Sequence, residues 1–331
     1  MLIEINMIKF KTTFAGLPLK TPLIIGSSGL TRNVQKNKEF EQAGAGAIVL
    51  KSLFEEQIQM YCGTFLHPSD SPEAADYIEN YVKAQQIDEY LTLIKETKAA
   101  CSIPVIASLN CYKTDVWAEY ARLMEEAGAD ALELNIYYLF TELNFSYDAV
   151  IRLYSTVLQK VKKQLSIPVI VKIGKYFSNI PALAYILKNQ GANGIVLFNR
   201  FYQTDIDINT EQIVAGQIFS NQAELSDTLR WTALVSGKVP GLPIASSNGV
   251  HDWEDVIKCL MAGATVVQLC SAVYMYGSDI ITKMLNMMGD WMNQNKYRTI
   301  SDFAGKLSSS NVADHSLYER SQFMKYYSSQ Q

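Results

Sequence analysis

One joint recurs four times in this chain: a helix end, a glycine among small residues, then an apolar run with no spacer between. It reads FEQAGAGAIVLK at Phe40 to Lys51, EEAGADALEL at Glu125 to Leu134, KNQGANGIVL at Lys188 to Leu197 and LMAGATVVQL at Leu260 to Leu269. Glycine stops the helix by taking a conformation other residues avoid, and the small residue after it lets the chain enter a sheet closely. A chain built on such joints is a succession of helix-to-strand units around a parallel sheet. Eight runs carry the strand signal: Pro22 to Gly26, Ala47 to Lys51, Pro104 to Leu109, Ala131 to Asn135, Pro168 to Ile173, Gly194 to Phe198, Leu242 to Ser246 and Thr265 to Leu269. They are continuously apolar rather than alternating, as expected of strands covered on both faces. Proline stands at or just before the first strand residue at Pro104, Pro168 and Pro243, where no ladder hydrogen bond need be donated.

Between the runs lie amphipathic stretches such as Asp115 to Ala127, and no Pro, Gly or Ser tract reads as a linker. The expected architecture is therefore an α/β fold, a single (β/α)8 TIM barrel over about residues 14–305, with a C-terminal extension over about 306–331 that wraps the outside or frays. A doubly wound sheet in two domains is the alternative. The largest insertions follow strand two (Ser52 to about Ala84) and strand six (Asn199 to about Ser226), on the face where barrels keep their chemistry, and read as a substrate lid.

Composition narrows the function classes. The net charge of −4 and the lack of a basic patch argue against nucleic acid. No apolar run approaches the ~18 residues of a membrane span, and the charged start argues against a signal peptide. Five cysteines without a CxxC pair fit reduced thiols in a cytoplasm, and three histidines argue against a metal centre. Cys101 and Cys259 read as core.

Residues at strand ends carry the chemistry. Ser246, Ser247, Asn248 and Gly249 after strand seven, and Cys270, Ser271 and Ala272 after strand eight, form turns suited to a phosphate. Lys51 and Lys172 end or interrupt apolar strands, where an ammonium needs a partner charge, either a ligand or Glu133. Asn135 and Asn199 put two amides on the same rim, and Cys111 stands there as a loop thiol. His251 reads as a residue of a helix-capping region.

From about Phe14 to about Gly305 these motifs resemble, in order and spacing, the FMN-dependent dihydroorotate dehydrogenases of class 1. Ser27-Ser28-Gly29 is similar to the family's Ala-Ser-Gly, and Lys51-Ser52 to its Lys-Ser. "ELN" at Glu133 to Asn135, Val171-Lys172, Asn199, the Asn248-Gly249 turn and "GATVVQLCSA" follow. The resemblance implies an FMN over the barrel mouth, with its phosphate at Ser247 to Gly249 and Cys270 to Ser271. It places Ser27, Ser28, Gly29, Ser52 and Asn135 along the flavin, with Lys172 at its pyrimidine end and Lys51 near flavin and substrate. Asn135 and Asn199 would hold the substrate or flavin edge. The implied reaction is oxidation of dihydroorotate, or a similar small acid, by paired proton and hydride removal. Members of this type often pair as homodimers.

The substrate half departs from the pattern. Where the family has Asn-x-Ser-Cys-Pro-Asn with a cysteine base, this chain has Asn135, Ile136, Tyr137, Tyr138, Leu139 and Phe140, so Tyr138 takes the base position. A phenol with a pKa near 10 needs about 4 kcal/mol of anion stabilisation to ionise at pH 7, and suits proton donation better. The family's loop after strand two is replaced by something like Ala75 to Tyr81. Arg200, in place of a small hydroxyl residue, offers a fixed charge to clamp a carboxylate. Alternatives are a barrel lyase or aldolase that takes a phosphorylated substrate with Lys172 or Lys51 as Schiff base, and a flavin-binding protein without turnover.

Overall fold

A computed structural model describes residues 9–54, 72–110, 114–136, 141, 143 and 146–320. The first element is a hairpin, β1 (Thr12–Phe14) against β2 (Leu17–Leu19). Ala15 (φ 52°) and Gly16 (φ 86°) make its turn, both left-handed, the geometry whose twist matches tightly linked strands. Next come β3 (Leu23–Ile25), β4 (Ala47–Val49), the short β5 (Leu53–Phe54), β6 (Val105–Asn110), β7 (Ala131–Asn135), β8 (Val169–Ile173) and β9 (Gly194–Leu197). A second hairpin, β10 (Thr204–Asp207) and β11 (Gln212–Ala215), precedes β12 (Ile244–Ser247) and β13 (Val266–Leu269).

Each expected run holds one barrel strand. The parallel order β3, β4, β6, β7, β8, β9, β12, β13 returns to β3 and closes the ring, with β5 added alongside β6. This is a (β/α)8 barrel. The two-domain alternative fails on that closure.

Alternation along the strands then divides the core. Ile24, Ala47, Val49, Ile106, Ala131, Ile170, Val196, Ala245 and Val266 pack together inside the barrel, closed below by Phe14, Ala15 and Leu19 of the first hairpin. Their neighbours, including Leu23, Ile48, Leu132, Val171 and Val267, face outward to the helices. Two residues up the same inward faces from Ile106, Ala131, Ile170 and Val266 stand Ser108, Glu133, Lys172 and Gln268, all buried. The apolar floor thus ends in a polar layer, and the site begins there.

Two expectations about the insertions change. The helix Pro72–Ala100 begins well before Ala84, with proline in its first turn, so Ala75 to Tyr81 are helical rather than a substrate loop. After strand six, the sequence TDIDINTEQIVA folds as β10 and β11, and the Asp207 carboxylate accepts from the N–H groups of Asn209 and Thr210 in the connection. The expected helix at Asp115 to Ala127 runs Thr114–Glu126.

Past the barrel the chain lies against the Leu225–Lys238 helix. Ser309 N–H donates to Ala233 carbonyl (3.0 Å), and Lys238 pairs with Glu319 at 2.8 Å. Gly237 permits this approach, since a Cβ there would lie 2.2 Å from Ser309 Oγ. Cys101 and Cys259 are buried, and burial pushes their thiols up to about 11 and about 12. Among the described residues no helix is long and apolar enough to cross a membrane.

Candidate active site

Three strands contribute one buried triangle to the polar layer. Lys172 Nζ lies 3.4 Å from Glu133 Oε1 and donates to Gln268 Oε1 at 3.3 Å, while Gln268 Nε2 donates to Glu133 Oε2 at 2.8 Å. Glu133 is fully buried, with Lys172 as its cationic partner. Of the two partners the sequence offers Lys172, the structure shows Glu133, and the lysine also borders the cavity above. Higher on the same faces, Asn199 Nδ2 donates to Asn135 Oδ1 at 2.7 Å. The two amides hold each other, leaving the Asn135 NH₂ and the Asn199 carbonyl as the groups that bond elsewhere. A hydroxyl chain adjoins them on the β3, β6 side: Ser52 N–H donates to Ser27 Oγ (2.9 Å), and Ser52 Oγ lies 2.7 Å from Ser108 Oγ.

Above the triangle opens a cavity of about 460 Å³, within the range of cofactor sites. Of the residues expected to bind, Ser27, Lys172, Asn199, Arg200, Ser247, Asn248, Gly249, Cys270 and Ser271 line it. Asn248 (φ 89°) and Gly249 (φ 77°) turn the chain sharply at its edge. Only glycine fits at 249, because a Cβ would lie 2.3 Å from Leu225 N. Burial raises the Cys270 thiol, an effect that the charge of Lys172 and the hydroxyl of Ser28 oppose.

The end of the insertion after strand six, Ile218 to Glu224, lies across these turns as a strap. Ser220 N–H donates to Ser271 Oγ (3.0 Å), and Ser220 Oγ lies 3.0 Å from His251 Nε2. The Phe219 and Tyr274 rings meet with centroids 5.5 Å apart. The strap therefore attaches to the turns after strands seven and eight, on the face where a lid was expected.

Arg200 is not the free positive charge that a carboxylate clamp needs. Its Nε donates to Glu224 Oε2 at 3.0 Å, and its Nη1 donates to the Ile218 carbonyl at 2.9 Å. Glu224 Oε2 also accepts from Asn248 Nδ2 at 3.0 Å. Burial alone would raise the Glu224 carboxyl, but hydrogen bonds from Arg200, Asn248 and the Asn221 N–H, with the charge of Arg200, hold it below the usual carboxylate range. Two atoms of this cluster, Arg200 Nη2 and Asn248 Oδ1, are buried without a hydrogen-bond partner among the described residues.

The remaining expected residues sit around the cavity rather than on it. Lys51 stands with Nζ 5.2 Å from the Phe54 ring centroid, and burial pushes its ammonium down with help from the charge of Arg32. A Cβ on Gly29 would lie 2.8 Å from the hydroxyl of the lining residue Tyr274. Tyr138, with Tyr137, Phe140 and Cys111, lies outside the described residues.

Sequence reasoning missed Glu224, Gln268 and the Ser220–His251 contact. Glu224 had one signal: Asn221-Gln-Ala-Glu224 has capping-box spacing, and the box forms. His251 follows the helix-cap reading only through its N–H, which donates to Asp255 Oδ2 at 3.1 Å.

A protein-family model described as dihydroorotate dehydrogenase matches residues 9–292. The chain is 26% identical over 311 residues to a Thermoplasma volcanium protein named dihydroorotate dehydrogenase B (NAD(+)), catalytic subunit, covering 90% of this chain and 98% of that one. A Methanosarcina acetivorans protein of the same name is 28% identical over 281 residues, 78% of this chain and 84% of its own. The Escherichia coli protein named NAD-dependent dihydropyrimidine dehydrogenase subunit PreA is 22% identical over 338 residues, 93% of this chain and 79% of its own.

Proposed function

Since this chain belongs to the dihydroorotate dehydrogenase family and is an oxidoreductase acting on CH–CH bonds, we propose that its cavity holds FMN and that a small acidic dihydropyrimidine, dihydroorotate or a close relative, is oxidised beside it. One observation carries the reading: a single cavity is bordered by the Lys172 triangle at one side and by the turns at Asn248 and Ser271 at the other. That donor set suits a phosphorylated flavin. The turns and the buried Arg200 Nη2 offer donors to a phosphate, while Lys172, Ser27 and Asn199 offer polar groups to a ring edge. The chemistry the flavin supplies is acceptance of a hydride.

This chain's own residues do the rest. Lys172, anchored by Glu133 and Gln268, would hold a positive charge against the ring edge of a bound flavin. The Asn199 amide orients Asn135, leaving the Asn135 NH₂ for the substrate or flavin edge. Lys51 and Ser52 complete that side, and Tyr138 is the proton-transfer group in place of the family's cysteine. The family assignment and the engagement of Lys172 Nζ by two side chains both weigh against a Schiff-base lyase.

An anaerobic visible spectrum before and after adding dihydroorotate tests this. The expected result is a bound flavin spectrum that bleaches. Flavin that stays oxidised with dihydroorotate and with uncharged dihydropyrimidines would leave only a binding protein, and a chain that takes up no flavin would refute the cofactor. Tyr138→Phe is expected to slow reduction at least ~100-fold if the phenol moves the proton; an unchanged rate removes it from the mechanism.

A further inference from the structure

Arg200 departs from the family pattern, and its partners among the described residues are Glu224 and the Ile218 carbonyl. Its Nε and the Asn248 amide meet at one oxygen, Glu224 Oε2, each at 3.0 Å. Its Nη1 holds the strap at Ile218, and two residues on, Ser220 is fixed to Ser271. Arg200 is thereby tied to both phosphate turns. What it has left is one buried donor, Nη2, and Asn248 leaves one buried acceptor, Oδ1; both residues line the same cavity.

An unmatched donor and an unmatched acceptor together state what they need. A bare carboxylate has only acceptors: it satisfies Nη2, leaves Oδ1 without a proton and brings charge toward Glu224. A phosphate ester on a hydroxylated chain supplies an oxygen for Nη2 and a hydroxyl hydrogen for Oδ1. Arg200 also neutralises Glu224, whose charge would otherwise repel a phosphate. We propose that Arg200, with Asn248 and under the alignment of Glu224, binds the phosphorylated polyol end of the flavin and not a substrate carboxylate. The proposal rests on the FMN reading above.

Binding of FMN and of riboflavin, followed by flavin fluorescence with apoprotein, tests it without turnover. Wild type is expected to prefer FMN strongly. Arg200→Met should weaken FMN about tenfold to a hundredfold, the worth of a charge-assisted hydrogen bond, and riboflavin by less than about twofold. Glu224→Gln keeps an oxygen for Arg200 and removes a negative charge, so FMN should bind as well or better, and combining it with Arg200→Met should recover part of the loss. If Arg200→Met folds poorly, Arg200→Lys gives the same comparison with the charge retained, and a several-fold loss of FMN alone is expected because one ammonium cannot bond Glu224 and phosphate in the same geometry. The proposal is overturned if Arg200→Met leaves the FMN preference intact while the dissociation constant of orotate, read from its perturbation of the FMN-loaded spectrum, rises tenfold. It is equally overturned if both flavins weaken together, which marks a structural role. Wild type that binds neither flavin refutes the FMN reading itself, and wild type that binds both equally refutes only the phosphate contact.

Discussion

Two cation–carboxylate pairs flank the cavity, one buried and one half-buried, and they are built in different ways. Lys172 and Glu133 sit on adjacent strands, side chains 8% and 0% exposed, and Gln268 from across the barrel closes their triangle. Arg200 and Glu224, 17% and 12% exposed, come from outside the barrel strands; Arg200 also holds a backbone carbonyl, and Glu224 an asparagine in a left-handed turn. The first pair is held by sheet register, which a parallel barrel cannot slip without exposing a whole face. The second is held by the side-chain hydrogen bonds of a strap. On the proposed reading, register fixes charge at the reacting end of the cavity, and loops set what is recognised at the other.

The largest effect should come from breaking the strand pair. Lys172→Met leaves the Glu133 carboxylate buried with only Gln268, at a cost of about 3–5 kcal/mol in urea unfolding. Adding Glu133→Leu should return most of that stability and none of the flavin reduction. A cost under about 1 kcal/mol for Lys172→Met would mean that Glu133 does not need the lysine, and the contrast between the pairs would fail.

That contrast also separates what was legible in the sequence from what was not. Strands announce themselves by apolar runs, and alternation by two carries Ile106, Ala131, Ile170 and Val266 up to Ser108, Glu133, Lys172 and Gln268. Fold, lysine and amides are therefore legible in the sequence, which also offers Glu133 as a partner for Lys172. Gln268 was not singled out, because a glutamine inside GATVVQL looks the same whether it faces in or out until the register is known. Glu224 was hidden for another reason: its partners Arg200 and Asn248 each lie 24 residues away, across a hairpin on one side and a helix and strand on the other, and no periodicity links them. The hairpin between them was missed because its exposed alternation, with Ile206 and Ile213 at 64% and 75%, gives no burial signal. The position assigned to proton transfer, Tyr138, came from the order of motifs alone.

Gly249→Ala comes next. Its Cβ would meet Leu225 N at 2.3 Å in a left-handed conformation, so the turn and the Leu225–Lys238 helix must part. A loss of about 3 kcal/mol is expected, with FMN affinity falling more than riboflavin affinity. Equal loss of both flavins would place the turn away from the phosphate.

Removing the loop cation should cost less than removing the strand lysine. Arg200→Met is expected to destabilise by about 1–3 kcal/mol at neutral pH, since Glu224 keeps Asn248 and some solvent. The loss depends on acid in a defined sense. The Glu224 carboxyl is depressed in the folded state, so its contribution is present above its unfolded pKa near 4.3 and disappears as the pH falls through the lower folded value. Wild type and Arg200→Met should thus converge in stability below about pH 4. Stability curves that stay parallel down to about pH 3 would show that the arginine acts by packing and not through this carboxylate.

The smallest effect on stability should come from Asn248→Gly, and it is the sharpest test of the loop pair. Asparagine at φ 89° carries left-handed strain that glycine relieves, worth about 1 kcal/mol. Against that gain stands the hydrogen bond from Asn248 Nδ2 to Glu224, worth about 0.5–1.5 kcal/mol, so the net change in thermal or urea unfolding should fall within about 1 kcal/mol of zero. Ligand selection should still change, because the substitution deletes the unmatched acceptor and frees one side of Glu224: FMN should weaken about threefold to tenfold relative to riboflavin. A stability loss above about 2 kcal/mol with no shift in that ratio would make Asn248 a bolt for the strap and leave recognition to the backbone of the turn. Near-zero stability change with a shifted ratio would mean that a strained asparagine is kept at this position for the ligand, at a turn where glycine would fold as well.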